Sequence, residues 1–224
     1  MRSARGAMLC LAACVLPVSV AAQSYNPVGP QTNVPVSTVE GGGWVECFSS
    51  TYDAATGEDL ATIQAQCTGS RLMLACAPVG ATDLTLLSQA TAAEAFTDPG
   101  VGSTDSHVAN GAQWYFNADD AGGSGSGSWG FAAAGDSLSR DNCDTATGTS
   151  PELRLCWHLN GDAGGYRCGS TENLNGSTAW VKYVYTAGAV VPTMNQWQIA
   201  LVALLMSIAA AALLRRRSTG AALS

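Results

Sequence analysis

Gly135-Asp136-Ser137-Leu138 spells a serine-hydrolase nucleophile block, and it is the first place in the chain where residue types suggest chemistry. Such a serine needs a histidine to take its proton and a carboxylate to orient that histidine. Only His107 and His158 exist, and neither carries an acid three residues upstream, where Thr104 and Leu155 stand. Ser137 therefore lacks an assembled base, a hydrolase through Ser137 ranks last among the readings, and the expectation is no enzyme. Asp119, Asp120, Asp136, Asp141, Asn142 and Asp144 gather oxygen donors in one loop-rich stretch. Calcium takes six to eight oxygens, so Ca²⁺ is the one cofactor the stretch suggests. The regular spacing of a calcium-binding loop is absent, and solvated turns explain the same residues. No Cys/His spacing suggests another metal. Trp114, Tyr115, Phe116, Trp129, Phe131, Trp157, Tyr166 and Trp180 could stack on sugar rings. Rings at alternate strand positions belong to a core, so Trp129 and Tyr166, read as loop residues, are the candidate ligand-stacking pair for cell-envelope glycans.

The elements that position these residues lie between two apolar ends. Arg2 and Arg5 precede the apolar stretch Met8–Val20, and Val20-Ala21-Ala22 sets small residues at a cleavage point. Residues 1–22 read as a signal peptide removed by signal peptidase before Gln23. A competing reading takes Leu11-Ala12-Ala13-Cys14 as a lipidation box. Residues 23–43, with Pro27, Pro30, Pro35 and Gly41-Gly42-Gly43, read as a flexible lead-in. Residues 44–187 read as one mostly β domain, a stapled sandwich-like fold with one or two short helices. One helix is expected from Thr56, as cap, through Leu60, Ile63 and Cys67 to Gly69. Strands are expected at Leu72/Leu74/Cys76, Leu84/Leu86, Leu153/Leu155/Trp157/Leu159 and Val181/Tyr183/Tyr185.

Six cysteines remain after signal removal: Cys47, Cys67, Cys76, Cys143, Cys156 and Cys168. In an oxidising compartment they form a disulfide framework whose pairing the spacing leaves open. Three lie at or before Cys76 and three at or after Cys143. If all six are bridged, at least one bridge must join the two halves. All 17 acids lie between Glu40 and Glu172, against Arg71, Arg140, Arg154, Arg167 and Lys182, which leaves a net −12. A body that acidic repels phosphate backbones, so nucleic acid is excluded as a partner.

Residues 188–224 carry the clearest signal. Val191-Pro192-Thr193-Met194-Asn195-Gln196-Trp197 is followed by an apolar segment, residues 198–214, and then Arg215, Arg216 and Arg217. Trp197 and the arginines suit the two interfaces of a short transmembrane helix, N-out and C-in. Heptad, apolar span and arginine cluster in this order resemble the IPTL-CTERM sorting signal of Gram-negative bacteria. That family shows I-P-T-L-x-x-W; Pro192, Thr193 and Trp197 match, while Val191 and Met194 replace Ile and Leu. The resemblance implies recognition by an exosortase-type membrane protease and delivery to the cell surface or extracellular matrix. A plain membrane anchor shares the apolar span and the arginines. The expected protein is thus an exported, non-enzymatic surface protein, with a carbohydrate-binding module as the alternative.

Overall fold

The computed structural model describes residues 24–100, 102–117, 127–140, 143–144, 150–159 and 164–187. Two five-stranded antiparallel sheets dominate it. In chain order the elements are β1 (Gln31–Pro35), α1 (Val36–Gly41), β2 (Trp44–Thr51), α2 (Thr56–Gln66), β3 (Arg71–Pro78), β4 (Asp83–Thr91) and α3 (Ala92–Ala95). There follow β5 (His107–Ala109), β6 (Ala112–Asn117), β7 (Ser128–Ala133), a 3₁₀ turn at Pro151–Leu153, β8 (Leu155–His158), β9 (Arg167–Cys168) and β10 (Trp180–Ala187). Sheet A has the order β1-β4-β3-β10-β2, and sheet B runs β5-β6-β7-β8-β9. The mostly β class expected from the alternating pattern is what the chain adopts.

The period of two explains how the sheets meet. Leu72, Leu74 and Cys76 of β3, Leu86 and Ala90 of β4, and Val184 of β10 point to one side of sheet A. They share a buried cluster with Trp114, Phe116, Trp129, Phe131, Leu155 and Trp157 of sheet B. Burying these large side chains, at ~1.5–3 kcal/mol each, supplies the main drive for stacking the two layers. Helix α2 adds Leu60, Ile63 and Cys67 to the same cluster, as its 3.6-residue spacing requires. The opposite side of β3, with Met73, Ala75 and Ala77, packs with Val39 of α1, Trp44 and Tyr185 on the outer face of sheet A.

Three sequence expectations change. The lead-in at 23–43 is not a flexible segment: its second half forms β1, which pairs with β4, and then α1. Strand β4 would otherwise leave an open row of backbone groups, and β1 closes it. Earlier in the same stretch, the Pro27 carbonyl accepts from Gln89 Nε2 at 2.7 Å and Asn110 Nδ2 at 2.8 Å. Second, Thr56 is the first residue of α2 rather than its cap. Ala55 holds the cap position, and the Thr56 hydroxyl donates to the Gly164 carbonyl at 2.5 Å. Third, the described residues hold three short helices. Helix α3 has a full capping box between Thr91 and Glu94, and its T-A-A-E sequence is the usual signature of that motif.

The disulfides are Cys47–Cys67, Cys76–Cys168 and Cys143–Cys156. The first ties β2 to the end of α2, and the third ties residue 143 to β8. Cys76–Cys168 crosses from β3 to β9 and therefore joins the two sheets, as the odd cysteine count in each half demands. Among the described residues no helix is long and apolar enough to cross a membrane. Residues 1–22 and 188–224 lie outside the described residues, and with them the signal peptide, the motif at 191–197, the span at 198–214 and Arg215–Arg217.

Candidate functional site

Among the described residues, the outer face of sheet B carries a linked group of charged side chains. Asp144 stands at its centre, fully buried. Both of its carboxylate oxygens accept from Arg154 Nη1, at 3.0 and 2.9 Å, and the Ser139 N–H donates to Oδ1 at 3.2 Å. Arg167 Nη1 donates to the Asp144 backbone carbonyl at 2.8 Å and lies 3.9 Å from Oδ2. Arg154 also reaches Asp136 at 3.4 Å, and Arg167 pairs with Glu172. The Tyr166 hydroxyl donates to the other oxygen of Glu172 at 3.3 Å, and the Arg167 guanidinium lies 6.0 Å from the Tyr166 ring centroid.

Local sequence sets this arrangement up. Arg154 continues the alternation of β8 backwards, so it leaves the sheet on the side of Cys156, opposite Leu155 and Trp157. Cys143 and Asp144 both hold left-handed backbone, at φ of 62° and 54°, which non-glycine residues rarely adopt. The Cys143–Cys156 bridge holds that turn on the sheet and sets Asp144 between the two arginines. Tyr115 lies beneath, its hydroxyl donating to the Leu155 carbonyl at 2.9 Å. Burial, and then the nearby Asp144 charge, push the Tyr115 phenol well above its ordinary range. The carboxylates are held by guanidinium groups and Tyr115 keeps its proton. These contacts hold the 143–144 turn against the sheet.

The residues singled out from the sequence fall in several places. Trp129 is not loop-borne: it lies in β7, fully buried, with its indole N–H donating to the Ala95 carbonyl at 2.8 Å. Phe96 stacks on it at 4.9 Å and Trp157 meets it edge-on at 5.6 Å. It is a core residue, and the ligand-stacking role expected for it is withdrawn. Tyr166 sits in a bend, partly buried, at the rim of the ion cluster. Ser137 is exposed, while its neighbour Asp136 is committed to Arg154. His158 is buried in β8, and desolvation lowers its pKa. Of the calcium candidates, Asp136 and Asp144 are engaged by arginines; Asp119, Asp120, Asp141 and Asn142 lie outside the described residues.

No protein-family model, no curated protein and no solved structure matches this chain.

A second polar centre went unread in the sequence. Lys182 of β10 is 1 % exposed and points into the side of the fold where α2 begins. Its ammonium donates to the Ala54 carbonyl at 2.7 Å, the Thr56 hydroxyl at 2.7 Å and the Gly164 carbonyl at 3.3 Å. Gly164 is needed there, because a Cβ would lie 2.2 Å from the Ala54 carbonyl oxygen and 2.3 Å from that of Tyr52. A lone lysine in a strand carries no sequence signal for such a role. Burial lowers its pKa from 10.5 to about 8, partly offset by Asp59 and Asp53. Between those two values the unfolded chain binds more protons than the native one, so this group makes stability rise with pH from about 8 toward 10. The limit is one proton, or ~1.4 kcal/mol per pH unit. Above pH ~10, the raised phenols of Tyr52, Tyr115 and Tyr185 oppose it. Urea midpoints measured from pH 8 to 10 are expected to lose this rise in Lys182→Met; an unchanged slope would assign it elsewhere.

Proposed function

We propose that the chain is an exported, disulfide-stapled surface or extracellular-matrix protein, sorted through a processed C-terminal signal and acting without catalysis. The observation that carries this reading is the order of three parts in the tail: Val191–Trp197, an apolar span, and Arg215–Arg217. Two structural facts support it. Three disulfides suit an oxidising compartment outside the cytoplasm. Strand β10 ends at Ala187, bonded to β3 on one side and β2 on the other, and every strand among the described residues lies before Val191. A cut at or beyond the motif would leave all the described strands in place.

A proline disfavours helical geometry in the residue before it and has no N–H to donate, so Pro192 suits a motif presented to a protease at the membrane surface. The partners in this reading are signal peptidase, the bilayer and an exosortase-type protease. The mature protein is expected to end near the motif and to lack Arg215–Arg217. The test is the intact mass of surface or shed protein from a host carrying the cognate protease. Pro192→Ala with Thr193→Ala is expected to trap the longer, membrane-held form. Mature surface protein that still extends to Ser224 would leave the tail as a plain anchor. Carbohydrate binding is the second reading, with Tyr166 as the surface aromatic residue named for it by the sequence.

A further inference from the structure

The outer face of sheet A is covered unevenly. Val36 and Val39 of α1, Trp44, Met73, Ala75, Ala77, Leu84 and Leu87 close part of it. Along β2 and β10, Tyr183 and Thr51 stay partly exposed and Glu46 and Ser49 are exposed. Register sets Tyr183 opposite Ser49 and Tyr185 opposite Glu46. The two tyrosine rings stack with centroids 6.1 Å apart, and the Ser49 hydroxyl donates to Glu46 Oε1 at 2.7 Å.

Two features of this strip are unbalanced. Glu46, and Glu40 at the end of α1, form no ion pair among the described residues. The Tyr185 hydroxyl is buried with no hydrogen-bond partner. Burial first, then the charges of Glu46, Tyr183 and Glu40, hold its proton on, and the Gly43 N–H donating to the Glu40 carbonyl at 3.0 Å keeps the end of α1 beside the start of β2. Arg140, Arg154, Arg167 and Lys182 are each at most 4 % exposed, and Arg71, partly exposed at the start of β3, is bonded to Gln89.

We propose that this β2–β10 strip binds an amino-sugar chain through its protonated amines. The exposed face of Tyr183 stacks on the apolar face of a sugar ring, as aromatic rings do in water. The Glu46 and Glu40 carboxylates attract an ammonium group on the same ring. The Ser49 hydroxyl meets the sugar hydroxyls, and the buried Tyr185 hydroxyl marks the polar end of the strip. A chain of neutral, N-acetylated sugars would leave both carboxylates unmatched, and an anionic polysaccharide would be repelled. The strip follows an eight-residue strand, so it suits an extended polymer better than an isolated small cation.

The test titrates the purified full-length chain with a glucosamine hexamer and, separately, with an N-acetylglucosamine hexamer, by calorimetry near physiological salt. The glucosamine hexamer is expected to bind at least about tenfold tighter, and Glu46→Gln and Tyr183→Ala are each expected to weaken it about tenfold. Glu46→Gln preserves side-chain shape, so a folding defect in Tyr183→Ala cannot account for both losses. Glu58→Gln, on the exposed side of α2, is expected to leave binding unchanged. Absence of binding, equal affinity for the two hexamers, or an equal loss in Glu58→Gln overturns the proposal. Choline that binds while the glucosamine hexamer does not also overturns it.

Discussion

Asp144→Ala is expected to be the most damaging single substitution in the domain, lowering stability by ~3–5 kcal/mol. That is the usual cost of breaking a buried ion pair by removing one partner. Asp144 is fully buried, and its carboxylate and carbonyl between them engage Arg154 and Arg167. Without the carboxylate, Asp136 and Glu172 at the rim are left to balance two guanidinium groups inside the protein. Combining it with Arg154→Met removes one uncompensated charge and should recover part of the loss, because contacting residues are not additive. Urea denaturation of the two variants decides the matter. A loss below ~1 kcal/mol in Asp144→Ala would mean that water, not Asp144, neutralises the arginines.

Replacing Cys76 and Cys168 together by alanine is expected to rank next. Their separation of 92 residues makes this the longest of the three loops, and the chain-entropy relation gives ~4.6 kcal/mol for it. The same relation gives ~3.3 kcal/mol for Cys47–Cys67, at 20 residues, and ~2.9 kcal/mol for Cys143–Cys156, at 13. The last figure leaves out Asp144, which the Cys143 turn carries, so that pair should cost more than its loop length alone. Unfolding midpoints of the three double variants give the ranking. If losing Cys76–Cys168 proves the mildest of the three, the bridge between the sheets does not restrain the unfolded chain as assumed.

The layers were legible in the sequence where strands carry apolar residues at alternate positions. Leu72, Leu74 and Cys76, and likewise Leu155 and Trp157, face the shared core as their alternation requires. Tyr183 and Tyr185 share the outer face for the same reason. Cysteine parity required a bridge between the halves, but only geometry assigns it to Cys76 and Cys168. Strand β1 escaped notice because Gln31-Thr32-Asn33-Val34-Pro35 has no apolar alternation; its register comes from β4, a tertiary cause. Trp129 was misplaced because glycines and serines surround it. Gly130 is in fact what lets the strands close up, since a Cβ there would lie 2.0 Å from the Leu155 carbonyl oxygen and 2.6 Å from the Tyr115 hydroxyl. The ion cluster was unreadable for a different reason. Asp144 finds partners 10 and 23 residues away, and no local pattern announces such pairs.

Strand β10, the last among the described residues, is not at an edge but between β3 and β2. In vectorial export residue 187 emerges long after residue 78, so for much of its passage β2 and β3 exist with the strand that belongs between them still missing. Sheet A cannot nucleate outward from its first strands, and its slowest step is a closure spanning more than a hundred residues. Until then β3 presents one unpaired edge and β2 two, the arrangement most prone to pairing with a neighbouring chain. A truncation anywhere before Trp180 would therefore leave a lasting two-sided gap in sheet A, open to any passing strand.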